Sequence, residues 1–302
     1  MRPPRLRRGD TLALVAPSGP VPDALLETAL PVLRDWGVKV KIGACVRGGS
    51  AGLPYLSATD EQRAAEFTAA WLDPEVTCVL AARGGYGAQR ILDLLDWAAL
   101  RAAGPKVFAG SSDLTAVHRA VDVQLGLDSL FSSMPASVLF DEFAAGHLRR
   151  TLFEPESTLS ITAAPGWESM MPGKAHGTLT GGNLALLAAG LGTPEQGRAR
   201  EAIVLLEDVT ESPYRLDRML TQLLRSGWFD GVAGVALGSW AGCGEQGPIH
   251  DLVLDRLGPL GVPVVWGFGF GHVPAAPTIP LGAVAELDAD AGVITLDVPA
   301  LA

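Results

Sequence analysis

The feature that most constrains the fold is a rhythm in the first half of the chain, where short apolar runs alternate with segments of helical period. Leu12-Ala13-Leu14-Val15-Ala16 reads as a strand, and residues 23–36 carry Leu25, Leu26, Leu30 and Leu33 on one helical face. A strand at 38–40, a helix over 58–71 opened by Thr59-Asp60-Glu61-Gln62, and a strand over 77–82 repeat the plan. Strands that alternate with helices predict an α/β fold with a parallel sheet covered on its faces, and such sheets bind ligands beyond the carboxyl ends of their strands.

Two turns therefore fall on one predicted rim. Arg83-Gly84-Gly85-Tyr86-Gly87 links the strand at 77–82 to a helix containing Ile91, Leu92, Leu94 and Leu95, and Gly110-Ser111-Ser112-Asp113 links Val107-Phe108-Ala109 to a helix over 114–123. Between about 150 and 178 the periodicity fades into prolines and glycines, which places a boundary near residue 165. The expected division is 1–165, carrying the parallel sheet, and a smaller α/β domain with mixed strands over 166–302. The latter opens with a Gly181-Gly182-Asn183 turn into an apolar helix, then a strand at 202–206, a helix at 214–225, and strands at 231–237, 262–266 and 293–298.

Composition narrows the function. With 302 residues, 48% hydrophobic and 19% charged, the chain is expected to bury a sizeable core. A net charge of −10 opposes nucleic acid and anionic membrane surfaces as partners. Cys45, Cys78 and Cys243 are too scattered for a disulfide framework or a zinc site, and no H-E-x-x-H pattern occurs, so neither metal nor cofactor is expected. The arginine-flanked run at 12–16 is too short for a secretory signal, and no stretch reaches the ~20 apolar residues of a membrane span, which together predict a cytoplasmic protein.

A serine on a sharp strand-to-helix turn exposes its hydroxyl above the sheet, with backbone N–H groups behind it that favour developing negative charge. Ser112 has this setting, although Ser111, Ser112 and Asp113 are also ordinary helix caps. A serine nucleophile needs a histidine oriented by a carboxylate. Of five histidines, His272 stands out in Gly267-Phe268-Gly269-Phe270-Gly271-His272, while His118 and His147 fall in helices and His176 and His250 read as loop residues. Glu207 ends the apolar run Leu205-Leu206, with Asp208 as its competitor. The N–H of Asp113 and one from Gly84 or Gly85 are the natural donors for an oxyanion.

Taken in order, Arg83-Gly84-Gly85-Tyr86-Gly87, Ser112-Asp113-Leu114-Thr115, Leu206-Glu207-Asp208-Val209 with Pro213-Tyr214-Arg215-Leu216-Asp217-Arg218-Met219-Leu220, and Gly271-His272 with Pro280-Leu281-Gly282 resemble the LD-carboxypeptidase family, which includes the microcin C immunity peptidases. The resemblance runs from Val15-Ala16-Pro17-Ser18-Gly19-Pro20 to Leu281-Gly282. It implies a flavodoxin-like first domain, a triad of Ser112, Glu207 and His272, an oxyanion hole from the backbone of Gly85 and Asp113, and a homodimer. It also implies metal-independent serine-type hydrolysis of the L,D-amide before the terminal D-alanine of peptidoglycan tetrapeptides. The position before the serine, often aromatic in the family, is Ser111 here and makes that residue a rival nucleophile. Arg83 is a candidate for a substrate carboxylate. An alternative within the family is hydrolysis of a peptidyl or aminoacyl nucleotide, for which Trp240 is a candidate stacking partner. An alternative of another class is a non-catalytic protein whose glycine turns hold a phosphate or nucleotide.

Overall fold

The computed structural model describes residues 1–49 and 53–302. In the first half the elements are β1 (Thr11–Val15), α1 (Asp23–Asp35), β2 (Lys39–Ile42), α2 (Asp60–Leu72), β3 (Val76–Ala81), α3 (Trp97–Ala102), β4 (Val107–Gly110), α4 (Thr115–Ala120), β5 (Ser129–Phe131) and α5 (Glu142–Phe153). There follow β6 (Ser160–Thr162), β7 (Glu168–Met171), β8 (Lys174–Asn183), α6 (Leu184–Ala189), β9 (Ala202–Val209), α7 (Pro213–Arg225), β10 (Gly234–Ala241), α8 (Gln246–Leu257), β11 (Val264–Trp266), β12 (Ile279–Leu281), β13 (Val284–Asp288) and β14 (Val293–Leu296).

The first sheet has the order β12-β5-β4-β3-β1-β2, and β1 to β5 run parallel. β1 is buried along its whole length, as a central strand covered on both faces must be. At the start of α2 the Thr59 hydroxyl accepts the Gln62 N–H at 3.3 Å while Gln62 Oε1 accepts the Thr59 N–H at 3.2 Å, a reciprocal cap on the helix that these residues open. The second sheet has the order β6-β14-β13-β8-β9-β10-β11-β7, with β8 to β11 parallel and antiparallel strands on either side.

The second half of the chain lends a strand to the first half's sheet. β12 pairs antiparallel with β5, setting Ile279 opposite Phe131, and β6 pairs with β14. A single apolar cluster then runs from Leu130 and Phe131 to Leu205, Phe268 and Phe270, with Phe131 and Phe270 meeting edge to face at 6.1 Å. Burying a side chain of this size contributes about 1.5–3 kcal/mol, so this cluster resists separation of the sheets.

Two helices differ from their predicted form. The segment after Gly87 is a 3-10 helix over Ala88–Leu94, and the segment after Ser111 begins as a 3-10 turn, becomes α4 and widens into a π-helix over Val121–Leu125. Apolar spacing alone does not distinguish these hydrogen-bond registers. Among the described residues, no helix is long and apolar enough to cross a membrane.

Candidate active site

Ser112 follows β4 with a φ of +60°, whereas Ser111 before it is extended. A non-glycine residue in the left-handed region costs on the order of 1–3 kcal/mol and is kept only where its surroundings enforce it. Here they do. The buried carboxylate of Asp113 accepts the Ser18 hydroxyl at 2.6 Å and the Ala88 N–H at 2.8 Å, tying the loops after β1 and β3 to the serine turn. Burial pushes the Asp113 carboxyl up, opposed by those two hydrogen bonds.

The glycine turn after β3 lies directly against the serine. A Cβ on Gly84 would sit 3.1 Å from the Ser112 Cβ. Gly85, at φ +118°, passes over Gly19, and a Cβ there would come within 3.3 Å of the Gly19 Cα. Among the described residues, the Gly85 N–H donates to no protein acceptor.

Glu207 lies near the carboxyl end of β9 and is fully buried. Its Oε2 lies 2.6 Å from His272 Nδ1, and its Oε1 accepts the Asn183 side-chain N–H at 3.2 Å. The neighbouring Asp208 points to the opposite face of the strand. It accepts the Ala185 and Val209 N–H groups at 2.9 and 2.8 Å, so Glu207, and not Asp208, meets the imidazole. Burial pushes the Asp208 carboxyl up to about 6. For His272, burial disfavours the imidazolium, but the hydrogen bond and charge of Glu207, with the charge of Asp208 behind, outweigh it and raise the group above the ordinary histidine value. Gly271 makes this contact available: it sits at φ +94°, and a Cβ there would come within 2.5 Å of Glu207 Oε2.

Ser112 and His272 line one cavity of about 410 Å³, together with Arg83, Gly84, Gly85 and Ser111. No hydrogen bond joins the two catalytic candidates here, and such contacts often tighten only around substrate. Arg83 also donates to the Pro20 carbonyl at the cavity rim. Among the described residues lining the cavity, Arg83 alone carries a permanent charge. Trp240 is placed elsewhere. It is buried, stacked on Trp266 at 6.3 Å, and absent from the cavity wall. Its β10 position pairs with Asp208, which puts its side chain on the sheet face opposite Glu207.

The other histidines have structural partners. His118 is buried between the Ser129 hydroxyl and the Gly110 carbonyl, and burial lowers it to about 4. His176 lies in β8 and His250 in α8, not in the loops expected for them. The residue that sequence reasoning passed over is Asn183, whose amide bridges Glu207 and Asp208 while its own N–H donates to Thr115 of α4 at 3.0 Å. The Gly181-Gly182-Asn183 turn was its only sequence signal. Among the described residues, no cluster of three metal-ligating side chains occurs.

Comparison with known proteins bears on the family to which the chain belongs. The profile of the LD-carboxypeptidase N-terminal domain matches residues 12–132, and that of the C-terminal domain matches residues 176–287. A Streptomyces coelicolor protein carrying an inferred carboxypeptidase name is 54% identical over 100% of this chain and 97% of its own length. The crystal structure of a muramoyltetrapeptide carboxypeptidase from Oxalobacter formigenes superimposes with a TM-score of 0.80 at 32% identity, covering 95% of this chain and 97% of that one. A Bacillus anthracis protein described as like MccF, the microcin C7 self immunity protein, shares the fold with a TM-score of 0.87 at 22% identity, over 98% of this chain and 99% of that one. On the matched domains and the full-length relative, the chain belongs to the LD-carboxypeptidase family.

Proposed function

We propose that this protein is a metal-independent serine peptidase that removes the terminal D-alanine from peptidoglycan tetrapeptides by cleaving the L,D-amide before it. The observation that carries the reading is a serine held at φ +60° in the same cavity as a histidine whose Nδ1 lies 2.6 Å from a fully buried glutamate. Ser112 Oγ attacks the amide carbonyl and His272 accepts its proton at Nε2, while Glu207 holds Nδ1 and stabilises the imidazolium. The oxyanion forms against the N–H groups of Gly85 and Asp113. His272 then protonates the leaving amine of D-alanine, and a water deprotonated by His272 releases the shortened peptide from the Ser112 ester.

A carboxypeptidase must recognise a free carboxylate, and Arg83 is the side chain suited to it. Ser111, extended and not strained, is the weaker nucleophile candidate. The nucleotide-hydrolysing alternative shares the fold and the triad, but Trp240 does not supply the stacking surface it needs. The reading further takes the protein as a cytoplasmic homodimer divided near residue 165, with β6 and β12 exchanged across that division. The test is a comparison of matched tetrapeptides ending in L,D- and D,D-linkages. Release of D-alanine from the L,D-linked peptide alone supports the assignment, and equal cleavage of both, or of neither, rejects it.

A further inference from the structure

His272 rides on a loop that leaves one sheet and joins the other. Its start is tied to β10, where Phe268 donates to Leu237 at 2.7 Å and Ser239 donates to Phe270 at 2.9 Å. Its end enters β12, which pairs with β5. Between these anchors, Pro274 and Pro277 have no N–H to give. The N–H groups of Ala275 and Thr278 both go to side chains of one helix, α5, through Asp141 Oδ2 at 2.7 Å and His147 Nδ1 at 3.2 Å. Asp141 also caps that helix, its Oδ1 accepting the Ala144 N–H at 2.9 Å. His147 and Thr278 are buried, so their contact has no water to replace it.

We propose that Asp141 and His147 are positioning residues that set the reach of His272 toward Ser112. The inference rests on the reading of Ser112 and His272 as nucleophile and base. Glu207 fixes the imidazole to the second sheet, whereas Ser112 stands on the first. Without a second hold the interval between nucleophile and base is left to the loop, which contains a strained Ala275 at φ +54°. α5 follows β5 of the first sheet, so the grip of Asp141 and His147 ties the base-bearing loop to the nucleophile's own half. A displacement of about 1 Å in such an arrangement costs on the order of 10²-fold in rate with little effect on binding.

The experiment compares full-length variants on the tetrapeptide at a temperature where circular dichroism shows each one folded. His147→Leu removes the acceptor, His147→Asn restores an oxygen near the Nδ1 position, and Asp141→Ser keeps a helix cap but loses the reach to Ala275. His147→Leu and Asp141→Ser are expected to lower kcat about 10–100-fold with KM within about threefold, and His147→Asn to recover kcat to within about threefold of wild type. Unchanged kcat in a folded His147→Leu or Asp141→Ser, a change confined to KM, or no recovery in His147→Asn overturns the proposal. If His147→Leu does not fold, Asp141→Ser carries the test. Ser112→Ala, run alongside, separates the two claims: activity in that variant rejects the nucleophile reading, whereas its inactivity beside fully active Asp141→Ser and His147→Leu rejects the positioning role alone.

Discussion

His272 Nδ1 lies 2.6 Å from Oε2 of Glu207, and that carboxylate is fully removed from solvent. The pair makes the imidazole a stronger base than a free histidine, because the attraction of Glu207 outweighs the cost of burial. The neutral base is populated only as pH rises through this raised value. The acid limb of kcat/KM is therefore expected above the ordinary ~6.5 of histidine. In Glu207→Gln, burial remains and the attraction of Glu207 is lost, so the limb should move to lower pH while kcat falls on the order of 10⁴-fold, the scale found when other triads lose this carboxylate. A full pH–rate profile of both proteins checks the shift.

Gly271 is where backbone and side chain compete for the same space. Gly271→Ala places a methyl within 2.5 Å of Glu207 Oε2 in a conformation at φ +94° that alanine disfavours. The folded variant is expected to lose about 10–100-fold in kcat through displacement of the carboxylate, and about 1 kcal/mol or more in stability. Steady-state kinetics and urea unfolding measure the two effects separately.

Arg83 should act on binding. A charge-assisted hydrogen bond is worth about 1.5–3 kcal/mol, so Arg83→Ala is expected to raise KM about 10–100-fold for a tetrapeptide with a free carboxylate. Amidation of that carboxylate should cost wild type a similar factor and the variant little. Trp240→Phe, by contrast, should leave KM within about twofold, since its side chain lies behind the sheet.

The first sheet was legible because β1, β3 and β4 are buried parallel strands, which read as unbroken apolar runs between turn residues. β12 was not, since three residues around Pro280 read as loop, and only the sheet edge tolerates them as a strand. β8 was hidden by Gly177, Gly181 and Gly182 inside it. Ser112, Glu207 and His272 could be chosen from residue type and their places after apolar runs. Asn183 could not, because its role depends on the register that sets it opposite Glu207 across β8 and β9. The same limit left Trp240 only a candidate, since its sheet face is fixed by its pairing with Asp208.

His118 offers a test of stability. Burial lowers it to about 4, so its neutral form favours the folded state. For a group with a lowered folded value, that contribution is complete above the unfolded ~6.5 and is lost as pH falls toward about 4, on the order of 3 kcal/mol in all. Urea unfolding between pH 4 and 7 should show a shallower loss of stability in His118→Leu than in wild type. Equal slopes would contradict the assignment.

The central claim is that Ser112 is the nucleophile of an acyl-transfer site, and the most direct measurement is intact-protein mass after exposure to a fluorophosphonate, alongside D-alanine release. The account predicts one adduct on wild type, mapped to Ser112, with Ser112→Ala folded, unlabelled and inactive on the tetrapeptide. An adduct on Ser111, or D-alanine release by Ser112→Ala at the wild-type rate, would contradict it.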